Sequence, residues 1–228
     1  NSMAEIKGKL MESDFDGLHL VVDGLDLYTK LVGRFNAYNI LAVYGTALLL
    51  DAEKMTILTK LSTLDPVPGR FEYFKSHDGV VAIVDYAHTP DALENVLAGI
   101  NELRSRNEKL ITVVGCGGNR DQAKRPEMAR IAAELSDRVI LTSDNPRDEN
   151  PEAIIADMKK GIEPPHGRKT HAITNREEAI RMACTLAEPG DIILVAGKGH
   201  EKYQEIKGKR IPFDDVSVIK ESFKNLKH

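Results

Sequence analysis

The sequence predicts an α/β protein built on a mostly parallel sheet with helices on both faces. Three observations lead there. From residue 80 onward, short apolar runs rich in β-branched residues alternate with segments of helical period. Those runs are continuous, as in strands buried on both faces, and lack the in–out alternation of a half-exposed sheet. Four of them end in polar or glycine-rich sequence, the composition of a crevice at the carboxyl edge of a parallel sheet.

In chain order, residues 17–31 read as two short strands around a turn at Asp23-Gly24. Arg34 to Asp51 places Ile40, Leu41, Tyr44 and Leu48 at helical spacing, and a second helix covers Glu53 to Leu61. Asp65-Pro66-Val67-Pro68-Gly69 is the clearest breaker, so a domain boundary is expected there, dividing residues 1–67 from 68–228. Val80–Val84 is the next strand, and Thr89-Pro90 supply an N-cap and first-turn proline to a helix carrying Leu93, Val96, Leu97, Ile100 and Leu103. Strand 110–114, helix 126–135, strand 138–142, helix 151–160, strand 170–173, helix 175–187 and strand 191–195 complete the alternation. The first segment has too few strands to close a sheet alone, so the chain is expected to begin inside a larger domain. Asn1-Ser2 ahead of Met3 reads as an expression remnant.

Composition narrows the function. At 228 residues, 42% hydrophobic and 29% charged, this is an ordinary globular composition. A net charge of −4 argues against nucleic acid as the main partner. No apolar run approaches the ~20 residues of a membrane span, so no membrane partner is expected. Cys116 and Cys184 lack metal-site or disulfide spacing, which fits a reducing cytoplasm. No metal site is expected. His200-Glu201 has no second histidine one turn away, and Gly115, Gly117 and Gly118 do not follow the dinucleotide spacing.

The decorated strand ends carry the chemistry. They are Asp85-Tyr86-Ala87-His88-Thr89-Pro90, Gly115 to Asp121, Asp144-Asn145-Pro146-Arg147 and Gly197 to Glu201. In the third, a carboxylate suits an ammonium and a guanidinium pairs bidentately with a carboxylate, so together they can grip a zwitterion. Pro146 fixes its own φ and biases Asn145 towards extended geometry. A polar turn leading into a helix cap is the alternative. His88 likewise has the alternative of ordering the loop before its helix.

Phe35-Asn36-Ala37-Tyr38-Asn39-Ile40-Leu41-Ala42, Pro68-Gly69-Arg70-Phe71-Glu72, Val84 to Pro90 and the strand-end sets together resemble the Mur ligases, and more narrowly their diaminopimelate-adding branch. The resemblance runs from Ile6 to the C-terminus and implies a Rossmann-like C-terminal domain preceded by the last part of the central ATPase domain. It implies an ATP- and Mg2+-dependent ligase that joins meso-diaminopimelate to UDP-MurNAc-L-Ala-D-Glu through an acyl phosphate, working in the cytoplasm as a monomer. Asn36 and Asn39 match an adenine-binding pair, Arg70 an arginine that approaches the phosphates, and Asp85 and Tyr86 a nucleotide motif completed by His88. Arg70, Asp85 and His88 are the implied catalytic residues. Arg120, Asp144, Asn145, Pro146, Arg147, Gly197 and Glu201 fall on diaminopimelate-binding positions. Lysine-adding relatives carry a non-basic residue where Arg147 stands. The sequence contains no G-x-x-x-x-G-K-[ST], so the magnesium ligands and phosphate cradle are expected outside this chain, and the chain alone is expected to be inactive. Other Mur ligases, a folylpolyglutamate-synthase-like enzyme and a non-catalytic amino-acid-binding module are the alternatives.

Overall fold

The computed structural model describes residues 5–105 and 107–225. The chain separates between Val67 and Pro68 into two compact units.

The first unit is a three-stranded antiparallel meander with two helices. Its strands are β1 (Gly8–Asp14), β2 (Gly17–Val22) and β3 (Leu25–Thr29), and its helices α1 (Arg34–Leu49) and α2 (Lys54–Ser62). Asp23 and Gly24 both adopt positive φ (48° and 83°), the geometry of a two-residue hairpin that follows the strand twist. Glu53 caps α2 by accepting hydrogen bonds from Met55 N and Thr56 N at 2.9 and 2.7 Å. Leu18, Leu20, Val22, Ile40, Tyr44, Ile57 and Leu61 form its core. The sequence reading missed β1, and with it the sheet on which both helices pack. That edge strand is mostly exposed and bulged between Leu10 and Glu12, so it offers no hydrophobic alternation to read. Val43 and Met55 remain exposed on the helices, as do Leu50 and Leu64 just beyond their C-terminal ends.

The second unit holds a six-stranded sheet. Its elements in order are β4 (Glu72–Lys75), β5 (Val81–Asp85), α3 (Pro90–Leu103), β6 (Leu110–Cys116), α4 (Lys124–Leu135), β7 (Arg138–Ser143), α5 (Pro151–Lys159), α6 (Pro164–Gly167), β8 (Thr170–Ala172), α7 (Arg176–Leu186), β9 (Ile192–Ala196), β10 (Tyr203–Ile206), β11 (Lys209–Pro212) and α8 (Asp215–Asn225). The strand order is β4-β5-β9-β6-β7-β8, with β4 antiparallel and the rest parallel. Residues of β5, β6 and β9 are buried throughout, as the unbroken apolar runs require. Ala82, Val84, Ile111, Val113, Ile193 and Val195 pack under α7 and α8. Their alternates in each strand face the opposite layer, where α3, α4 and α5 lie side by side.

The chain runs outward from β6 to β8, then returns to insert β9 between β5 and β6. This reversal aligns the carboxyl ends of β5, β9, β6 and β7, the place where a ligand crevice opens in such sheets. Helix α4 starts at Lys124, earlier than the sequence reading placed it, with Pro126 in its first turn. First-turn N–H groups have no intrahelical acceptor, so proline costs nothing there.

Candidate functional site

The four strand ends converge on one cleft of about 790 Å³. Tyr86, His88, Gly115, Cys116, Arg120, Asp144, Asn145, Arg147, Gly197 and Glu201 line it. Pro146 is buried behind the Asp144–Arg147 turn, and its carbonyl accepts from Glu149 N at 3.0 Å.

Two backbone features shape its floor. Gly197 has φ 116°, and a Cβ there would lie 2.6 Å from Asp144 Oδ2. Arg147 adopts φ 52° although it is not glycine. A second element holds it in that conformation. The β10–β11 ribbon lies alongside, with Arg147 N donating to Glu205 O at 2.9 Å and Lys207 N donating to Arg147 O at 2.8 Å. The ribbon also reaches Asn145 and Asp144, since Glu205 N donates to Asn145 Oδ1 at 2.9 Å and Gln204 Nε2 to Asp144 O at 2.8 Å. Sequence reading did not find this ribbon. Its strands are half-exposed to exposed and show no alternation, so the Lys207-Gly208 turn was its only signal.

The side chains divide by charge. Arg147 donates to Gly118 O at 2.8 Å and has Glu205 Oε2 at 3.5 Å. Arg120 is exposed, with no hydrogen bond or ion pair among the described residues. Arg210 adds a third guanidinium, stacked 4.5 Å over the Tyr203 ring. Among the acidic and amide groups, Asp144 and Asn145 are buried and Glu201 is partly so. Asn145 Nδ2 donates to Glu201 Oε2 at 2.8 Å. Burial pushes the Glu201 carboxyl up, but the Asn145 amide, Lys198 and Arg147 outweigh it and hold it below the usual range. Its ionised form therefore stabilises the fold at neutral pH, and that contribution is lost as pH falls from about 4.3 through the lower folded value. Glu201→Gln should flatten this acid limb in urea unfolding at stepped pH, and an unchanged limb would contradict the assignment.

Arg70, Asp85, Tyr86 and His88, the residues of the expected nucleotide motif in the second unit, lie at the end of β5, just after it or, for Arg70, just before β4. Both oxygens of Asp85 accept backbone hydrogen bonds, from Phe71 N at 2.7 Å and Ala87 N at 2.8 Å. Burial nevertheless raises its pKa, against those amides and Arg70. Asp85 thus organises the turn in which Phe71 has φ 49° and which presents Arg70. The exposed Arg70 guanidinium sits 4.8 Å over the Tyr86 ring with no ion pair among the described residues. His88 Nδ1 lies 2.9 Å from Tyr86 O, so the histidine does order its own loop, while Thr89 caps α3. In the first unit, Asn36 Nδ2 donates to Val32 O at 2.7 Å and Asn39 Nδ2 to Asn36 Oδ1 at 3.1 Å. The amide oxygen of exposed Asn39 has no partner among the described residues.

Cys116 and Cys184 are buried thiols, pushed by burial up to about 12 and about 11, so neither suits a nucleophile. No described helix is long and apolar enough to cross a membrane.

Residues 69–199 match the family described as Mur ligase, glutamate ligase domain. The UDP-N-acetylmuramoyl-L-alanyl-D-glutamate–2,6-diaminopimelate ligase of Cytophaga hutchinsonii is 57% identical over 220 residues, covering 96% of this chain and 45% of that protein. The enzyme of the same name from Bacteroides thetaiotaomicron is 55% identical over 222 residues, covering 97% and 46%. A solved structure of a ligase of that name superposes with a TM-score of 0.71 at 38% identity, covering 99% of this chain and 46% of the other. A folylpolyglutamate synthase from Thermotoga maritima, at 21% identity and TM-score 0.66 over 85% of this chain and 44% of its own, shares the fold. The chain spans a little under half the length of the curated relatives it matches. On the family match, these identities and the mostly parallel sheet, this chain belongs to the Mur ligase family.

Proposed function

We propose that this chain is the acceptor-binding part of an ATP-dependent ligase that joins meso-diaminopimelate to UDP-MurNAc-L-Ala-D-Glu in cytoplasmic peptidoglycan precursor synthesis. One observation carries the reading: a single cleft is lined by the guanidinium groups of Arg147 and Arg120 together with the carboxylates of Asp144 and Glu201. That arrangement complements a small molecule with an ammonium flanked by carboxylates, and a second carboxylate at its far end gives the second guanidinium a partner. The names of the Cytophaga and Bacteroides relatives support the same acceptor.

In this mechanism the acceptor's amine attacks the D-glutamate carboxylate after its activation as an acyl phosphate. Glu201 and Asp144 receive the ammonium that is not reacting, while Arg147 and Arg120 hold the carboxylates. The site thereby fixes the nucleophile in position, which is its main catalytic contribution. For ATP, the residues fit in part. Within the first unit Asn39 has amide capacity for a purine edge, and within the second Arg70, stacked on Tyr86, makes no ion pair among the described residues and can meet a phosphate. ATP supplies the activating phosphoryl group when bound. Among the described residues no three carboxylates, histidines or cysteines converge into a protein cage for magnesium. No step is therefore routed through it here. The chain would recognise the amino acid without itself activating the dipeptide.

In the complete protein, ADP release should require both UDP-MurNAc-L-Ala-D-Glu and meso-diaminopimelate. Equal rates with L-lysine, or with glutamate on a folate acceptor, would overturn the proposal.

A further inference from the structure

Among the described residues of the second unit, three cations are fully or nearly fully buried: Arg125, Arg176 and Lys198. Arg125 is held by Glu149 and Asp157, and Arg176 by Asp215, all outside the cleft lining. Lys198 differs. Its Nζ donates to Asn145 Oδ1 at 2.9 Å and Glu201 Oε2 at 3.1 Å, and lies 4.0 Å from Asp144 Oδ1 and 5.5 Å over the Tyr203 ring. Every one of these partners lines the cleft. The local backbone explains the placement. Lys198 sits between Gly197 (φ 116°) and Gly199 (φ 51°), a double turn that keeps its side chain beneath the site.

Resting on the proposed acceptor reading, we infer that Lys198 is a positioning residue for the incoming amino acid, fixing the Asn145 amide and the Glu201 carboxylate for the ligand's ammonium. Asn145 Oδ1 accepts from both Lys198 Nζ and Glu205 N, so its Nδ2 is turned towards Glu201. Glu201 Oε2 receives both Asn145 and Lys198, which leaves Oε1 without a partner among the described residues. The ammonium also offsets one of two neighbouring carboxylates. Without it, the like charges of Asp144 and Glu201 would face each other with one fewer cation between them. With it, the group of Asp144, Glu201 and Lys198 carries one net negative charge towards a ligand ammonium.

The test uses the complete ligase with Lys198→Met, Glu201→Gln, the double variant, and Arg147→Ala as a reference. K198M should raise the KM for the acceptor amino acid about 10- to 100-fold while leaving that for ATP within about twofold, because a misplaced binding group is costly only to the ligand it positions. The double variant should lose no more than about threefold beyond E201Q, since the two residues act as one unit. A folded K198M with acceptor KM near wild type overturns the inference, as does an equal rise in both KM values. If K198M does not fold, the comparison of E201Q with the double variant decides, because the double variant has no unpaired carboxylate at position 201. A tenfold or greater further loss there overturns the inference. An Arg147→Ala protein with unchanged acceptor KM would overturn the site reading itself, whereas a raised value with K198M unaffected overturns the role of Lys198 alone.

Discussion

Arg147→Ala in the complete ligase should cost about 2–5 kcal/mol of acceptor recognition, or roughly 30- to 4,000-fold in kcat/KM for diaminopimelate. The geometry explains why so much rests on one side chain. Arg147 already donates to Gly118 O and faces Glu205, so its guanidinium is held in place before any ligand arrives. Removing it deletes the cation for the distal carboxylate and leaves Glu205 facing the cleft uncompensated. L-Lysine lacks that carboxylate and should lose far less, so the selectivity for diaminopimelate should collapse. Arg147→Lys should recover only part, because an ammonium cannot form the bidentate pair. Steady-state competition between the two acceptors measures it. An unchanged preference would remove Arg147 from the recognition role.

The largest effect on stability is expected at Arg176 and Asp215. Their guanidinium and carboxylate pair through two 2.8 Å hydrogen bonds, and both side chains are wholly buried. Burial disfavours the Arg176 charge, but Asp215, then Asp144 and Glu201, raise its pKa, so it stays protonated. Breaking such a pair leaves an uncompensated buried charge, at a cost of about 3–5 kcal/mol. Asp215→Asn or Arg176→Met should each lower Tm by about 10 °C, given the usual shift for a domain of this size. Replacing both with apolar residues should be milder than either change alone. A double variant as damaged as the worse single would contradict this account. Arg176 also donates to Ala196 O at 3.1 Å, at the end of β9 just before Gly197. It thereby ties the rear of the sheet to the floor of the cleft.

The parallel core was legible because burial on both faces demands unbroken apolar runs, and β5, β6, β7 and β9 have them. The acidic and basic strand ends were legible for the same reason: a parallel order brings like ends together. The edge elements β1, β4, β10 and β11 were not, since exposed strands need no hydrophobic pattern. Helix α8 was also missed, although Val218 and Ile219 now help α7 cover one face of the sheet. The supports of the site were hidden too. Arg176 and Asp215 lie 39 residues apart, and Lys198 and Asn145 lie 53 apart, so no local pattern links them. A lysine between two glycines reads as a solvated loop, and only the packing shows it buried. The family resemblance implied a nucleotide motif at Asp85; what the sequence did not reveal is that both its oxygens engage the backbone amides that shape the Arg70 turn.

The central claim is that the strand-end cleft recognises an amino acid by its second carboxylate. Calorimetric titration of this chain with meso-diaminopimelate and, separately, with L-lysine tests it most directly. Diaminopimelate should bind at millimolar or better affinity and lysine should give no binding heat. Equal binding of both, or of neither, would contradict the claim.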